Sequence, residues 1–280
     1  MEPETWTDRI NAWRAAPGAA RARVRWERIP RNVAQSMAFE REAVPLRALE
    51  KWQAAQGGPD PARSNESLPN PSDRPSAVAR QVLTLERRIE QARFDAHPLD
   101  DQLVRDLHRT ICEPVAPHLA GWRRIAVAVG GHIAPDWPLV PTLMRDYGRD
   151  LAARIAAHGL APTERLIETL AFAEGRLLAI HPFADYNGRV TRVFLRLLLR
   201  RLEFPPVRLA AGEDERGEYL AALGAADRSD WTALMGIWTR RIADAATTCE
   251  DIASPRNSAP SRPAPFGHEA SLTPWSNCPR

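Results

Sequence analysis

Twelve residues, HPFADYNGRVTR from His181 to Arg192, hold a histidine, a carboxylate, an Asn-Gly pair and two arginines. The run VFLRLLLRRL follows at once, apolar apart from its arginines. A helix beginning near Asn187 to Arg189 presents free N–H groups and the positive end of its dipole, which together bind anions. Gly188 lets a ligand approach that backbone closely. Arg189 and Arg192 are three apart, so they share a face of the first turn and offer forks for phosphate oxygens. Asp185 lies just ahead, and a lone carboxylate among phosphates suits Mg²⁺, which takes one or two carboxylates plus the substrate's own oxygens. His181 ends the preceding helix, where it can take a proton from an incoming hydroxyl. Taken singly, a histidine before a proline reads as a helix C-cap, and two helical arginines read as a solvated face. Their joint occurrence points instead to transfer of a phosphorus-containing group from a nucleotide to a hydroxyl.

The elements that must position this cluster are mostly helical. TDRINAWRAAPG and NVAQSMAFEREAVPLRALEKWQAAQ show helical spacing, the second interrupted at Pro45. SAVARQVLTLERRIEQARFDA follows with Ser76 as N-cap, then LDDQLVRDLHRTIC. RRIAVAVGGHIAPDW carries the strand signal: Ile125, Val127 and Val129 alternate with alanines before a Gly130-Gly131 turn. Four further helical stretches follow: one from Pro138, one leading into His181, one out of Asn187 and one on to about Cys249. The expected organisation is an N-terminal helical segment over 1–56, a flexible Pro/Ser/Asn-rich loop over 57–76, one helical domain over 77–252, and a disordered tail over 253–280.

Composition narrows the setting. The 280 residues suffice for a sizeable core, and no apolar run is long enough to cross a bilayer. MEPETWTDRINAW lacks the basic-then-apolar layout of a signal peptide. Cys112, Cys249 and Cys278 show no CxxC spacing, which argues against a disulfide framework or zinc site and fits a reducing cytoplasm. A net charge of +3 does not imply nucleic-acid binding, and no membrane partner is expected. The basic residues are arginines except Lys51, the pattern of GC-rich, bacterial codon usage. His97 and His108 lack metal-like partners and read as core or surface residues.

The stretch His181–Arg192 is similar to the signature of the Fic (Fido) family, H-P-F-x-[D/E]-G-N-G-R-x-x-R, with Tyr186 where the family has glycine. GWRRIAVAVGGHIAPDWPLVPTLMRDY resembles the family's G-x-[Y/W/F]-R segment, β-hairpin flap and turn into a helix. EYLAALGAADRSDWTALM resembles its C-terminal helices, so the likeness covers roughly 77–245. The resemblance implies a mainly α fold, a Fic-type helical domain with a short β-hairpin flap. It implies AMPylation: AMP passes from ATP to a Ser, Thr or Tyr hydroxyl of a target protein, with Mg²⁺ as cofactor. His181 would be the general base and Asp185 the metal ligand. Asn187 and the Gly188 amide would stabilise the α-phosphate, Arg189 would hold the β-phosphate and Arg192 the γ-phosphate. Val127, Val129, Gly130, Gly131 and His132 would pin the target segment by strand addition, although a plain structural hairpin reads equally well. Self-modification and a homodimer are further expectations of the resemblance.

Many Fic proteins are held off by a helix with the pattern [S/T]-x-x-x-E-[G/N], whose glutamate pairs with the second arginine of the signature. SMAFER, Ser36 to Arg41, fits the first five positions and fails the last, so Ser36 and Glu40 are the candidate inhibitory residues of an N-terminal inhibitory helix. Tyr186 raises a separate question. If the family's glycine is there for positive φ, tyrosine costs about 1–2 kcal/mol. If it is there for close approach of phosphate, the ring must point away. Doc-type phosphotransferases carry alanine at that position but lysine where Gly188 stands, which keeps AMP transfer ahead of phosphotransfer. A different nucleotide donor, removal of AMP, and a silent interaction module remain the alternative functions.

Overall fold

The computed structural model describes residues 5–57, 76–159, 161 and 164–247. The expected tail over 253–280 and nearly all of the expected loop over 57–76 lie outside the described residues. Within them the chain forms ten α-helices and one two-stranded hairpin. The helices are α1 (Trp6–Ala15), α2 (Gly18–Phe39), α3 (Leu46–Ala55), α4 (Ala77–Glu90), α5 (Asp101–Cys112), α6 (Val140–His158), α7 (Glu164–Ile180), α8 (Asn187–Arg201), α9 (Arg216–Ala226) and α10 (Thr232–Thr247). None is long and apolar enough to cross a membrane.

Local sequence explains the starts. Thr5 and Asp8 close a capping box on α1. Ser76 accepts from the Ala79 amide, as its position predicts, and Asp100 accepts from Leu103. α8 is the central helix. Val190, Val193, Phe194, Leu197 and Leu198 are buried around its whole circumference, which requires neighbours on every side. Helices α2, α4, α5 and α7 supply them. α7 packs in turn against α6, α9 and α10. At Gly175 of α7 a Cβ would meet Trp231 Cζ3 at 2.8 Å and Ala226 Cβ at 2.9 Å, so α7 reaches the C-terminal helices only because that position has no side chain. A buried network ties the same elements: Arg241 and the Tyr219 hydroxyl donate to the two oxygens of Glu174, at 2.7 and 2.8 Å.

Two expectations need correction. The N-terminal helix breaks at Phe39, not at Pro45. Arg41 takes the left-handed conformation (φ 61°), its amide donates to Ala38, and the Glu42 amide donates to Met37 across six residues. That is a Schellman ending, built on arginine where glycine or asparagine would be unstrained. The strand signal from Ile125 onward yields less sheet than its alternation predicts: β1 is Ala128–Val129 and β2 is His132–Ile133, antiparallel, with Ala128 opposite Ile133. Most of these side chains are exposed, so no second layer extends the ladder.

Candidate active site

The loop between α7 and α8 is built from both ends inward. The Asn187 carboxamide accepts from the Phe183 amide at 3.0 Å and donates to the Phe183 carbonyl at 2.9 Å, closing the loop. The Phe183 ring, fully buried, stacks flat on His108 of α5, centroids 3.6 Å apart and planes at 1°. His108 Nε2 meets the Asp185 carbonyl at 3.1 Å, and burial pushes the His108 pKa down to about 4. A neutral imidazole therefore donates to that carbonyl and supports the loop from below. Asp185 stands exposed at the loop's outer edge. Tyr186, at φ 65° and ψ 10°, is the left-handed residue from which α8 starts.

Asn187 is thus engaged differently from the expectation. Its side chain is spent on the backbone of Phe183 rather than offered to a phosphate. What faces the ligand position is the start of α8 and the two arginines. Gly188 sits in that first turn, and a Cβ on it would run into Glu40 Oε1. The missing side chain makes a seat for an anion at the positive end of α8, and a carboxylate fills the seat.

Both arginines are buried and paired. Arg192 donates from Nε to Ser36 Oγ at 2.8 Å, and from Nη2 to the Ser36 carbonyl at 3.3 Å and Glu40 at 2.5 Å. Its guanidinium also lies over the Phe39 ring, 5.2 Å from the centroid. The end of α2 is held there by α9, where Arg216 donates to the Phe39 carbonyl and Tyr219 meets the Phe39 ring edge-on. The sequence-predicted Ser36 and Glu40 are therefore brought to Arg192. Arg189 makes a bidentate pair with Glu42, at 2.9 and 3.3 Å, and lies over the Tyr186 ring. Sequence reasoning missed Glu42. The signal was available in EREAVP: two carboxylates bracket Arg41 just ahead of Pro45.

His181 has φ 47° and follows directly from α7. Burial lowers its pKa; the charges of His132 and Arg123 lower it further, while a bond to the Leu178 carbonyl and the Glu40 charge oppose this. With one ring N–H held by Leu178, the other nitrogen is available to accept a proton. Arg123, which the sequence reading left unassigned, ties this histidine to the hairpin. Its Nε donates to the His181 carbonyl at 2.8 Å and its Nη1 to the Ile125 carbonyl at 2.9 Å. His132 adds a second tie, with Nε2 2.9 Å from the Ala179 carbonyl and Nδ1 2.6 Å from Asp227. Val127, Val129, Gly130 and Gly131 complete a hairpin fastened beside His181, with Val129 and Ile133 exposed. Among the described residues no group of three or more His, Cys, Asp or Glu could hold a metal ion, and Cys112 is a buried free thiol.

A helical core, a histidine after one buried helix, an anion seat at the start of the next and a small hairpin beside them together make one helical domain built around the loop from α7 to α8. Residues 98–199 match the model of the Fic/DOC family. The match is narrower than the 77–245 span of the sequence resemblance. Protein adenylyltransferase Fic of Drosophila melanogaster is 34% identical over 128 residues, covering 45% of this chain and 25% of the relative. The Drosophila grimshawi protein of the same name is 33% identical over the same length. The chain thus spans about a quarter of the length of these curated relatives. Fic-1 from C. elegans shares the fold at a TM-score of 0.66 and 18% identity, over 88% of this chain and 70% of that one. A Fic-domain signalling protein from Bacteroides thetaiotaomicron does so at 0.65 and 17% identity, over 89% and 96%.

Proposed function

We propose that the chain is an autoinhibited protein adenylyltransferase that moves AMP from ATP to a hydroxyl side chain of a target protein. One observation carries the reading: the anion seat over Gly188 holds the Glu40 carboxylate, hydrogen-bonded to Arg192. A place at a helix start that accepts a carboxylate between a glycine and a buried arginine is a place that accepts a phosphate. Glu40 on Arg192 and Glu42 on Arg189 stand where two phosphates of ATP belong, which supports an inhibited ground state.

In this reading the neutral His181 removes the proton from the target hydroxyl. The hydroxyl oxygen bonds the α-phosphorus, the bond to the bridging oxygen breaks, and pyrophosphate leaves from Arg189 and Arg192. The site works by positioning and by preorganised charge. Asp185, a single exposed carboxylate at the loop edge, fits Mg²⁺, whose remaining ligands would be phosphate oxygens and water. Bound there, the ion would offset the negative charge of the phosphates. The hairpin beside His181 would receive the target segment, with Val129 and Ile133 turned to solvent.

Tyr186 gives no reason to invoke a changed donor. It keeps the left-handed backbone that glycine suits, and its ring lies over Arg189 rather than in the seat at Gly188. The test is incubation of wild type, Glu40→Gly and His181→Ala with Mg²⁺ and ATP labelled on the α-phosphate. Label on protein with Glu40→Gly, little with wild type and none with His181→Ala is the expected result. No label from any of them, with ATP bound, would redirect the search to other donors.

A further inference from the structure

We propose that Tyr186 is a positioning residue whose ring fixes the Arg189 guanidinium at the angle needed for the β-phosphate of the nucleotide. The proposal rests on the nucleotide reading above. Two observations lead to it. Tyr186 adopts φ 65°, a conformation that glycine takes without strain and tyrosine does not. A large side chain kept at a strained position calls for a use of that side chain. Its ring meets Arg189, whose Cζ lies 4.6 Å from the centroid, within cation–π range.

The surroundings of Arg189 show why this contact matters. The side chain is almost fully buried, and both terminal nitrogens go to Glu42. Its Nε–H is buried without a hydrogen-bond partner, and the electron-rich ring face lies beside the same guanidinium. When phosphate replaces Glu42, the carboxylate that held the fork is gone, and the ring is the constraint that survives the exchange. The ring is itself anchored. Tyr186 tilts on His108 at 6.3 Å and 51°, and His108 stacks on Phe183. A column of planar groups thus runs from Phe183 through His108 and Tyr186 to the guanidinium.

The test uses full-length protein carrying Glu40→Gly and Glu42→Gln, titrated calorimetrically with AMP and with ADP in the presence of Mg²⁺. Tyr186→Leu, which keeps the strain and loses the ring face, is expected to weaken ADP binding about fivefold and leave AMP unchanged. Tyr186→Phe is expected to bind ADP like the tyrosine parent. Tyr186→Gly relieves the backbone, so it melts no lower than the parent while losing the same ADP affinity, which separates positioning from damage to the fold. Equal ADP affinity for the Leu and Phe variants overturns the assignment while the nucleotide reading stands. So does equal weakening of AMP and ADP, since the ring would then act elsewhere than on the β-phosphate. Failure of the parent to bind either nucleotide overturns the nucleotide reading, and this proposal with it.

Discussion

Replacing Glu40 by glycine should make the protein less stable and more active at once. The Arg192 side chain is 8% exposed and keeps three hydrogen bonds at the end of α2, of which the one to Glu40 joins two opposite charges. Such a bond contributes about 1.5–3 kcal/mol net, and with Glu40 27% exposed the lower part of that range applies, about 2 kcal/mol. The open form of the seat is then populated at roughly 3%, and the apparent affinity for ATP is reduced about 30-fold. Removing the carboxylate leaves a buried guanidinium with only Ser36, so the free protein should lose about 2 kcal/mol, or roughly 4–8 °C in melting temperature for a domain of this size. ATP should return that loss, because its phosphates supply the missing anion. The assay pairs thermal unfolding, with and without Mg²⁺ and ATP, with calorimetric ATP binding. Unchanged melting together with unchanged ATP affinity in Glu40→Gly would refute the reasoning, since both follow from the same ion pair.

Other outcomes follow from the same geometry. His181→Ala should abolish AMP transfer while keeping ATP affinity within about twofold, measured by label transfer and by calorimetry. His181 is held neutral by burial, so the acid limb of kcat/KM in the Glu40→Gly protein should lie below the ordinary histidine value of about 6.5, activity being lost as pH falls through the lowered pKa; a limb at or above that value would contradict the assignment. Gly175→Ala should destabilise by about 1–3 kcal/mol in urea unfolding, because its methyl group meets Trp231 and Ala226. Asp227→Asn should loosen the hairpin, read as faster amide exchange at residues 128–133 with exchange in α8 unchanged.

The sequence made part of this site legible because its pattern is local. Arg189 and Arg192 share a turn, Gly188 precedes them, and the helix starts at Asn187, inside the expected window. Ser36 and Glu40 were legible for the same reason, being four apart at the end of one helix, Glu40 as its C-cap. What escaped depended on where the chain turns. With the break placed at Pro45, Glu42 would lie on a helix surface; the Schellman ending at Arg41 swings it onto Arg189 instead. Arg123 and Asp227 escaped because they act on carbonyls and a histidine from distant segments. Asn187 was assigned by resemblance to the ligand, and its pairing with Phe183 is a backbone geometry that no spacing reveals.

Glu40 and Glu42 are joined to the arginines they cover by the same chain. A separate inhibitor subunit falls away on dilution, whereas a carboxylate on the same chain stays at a fixed effective concentration. The degree of closure should therefore be independent of how much protein is made. On the proposed autoinhibited reading, a competing anion would alter it, as would a pull on the last turn of α2, where Phe39 is gripped by Arg192, Arg216 and Tyr219. The helix before that turn is seated by Ile29 and Val33 in the core, so the moving part need be no longer than one turn.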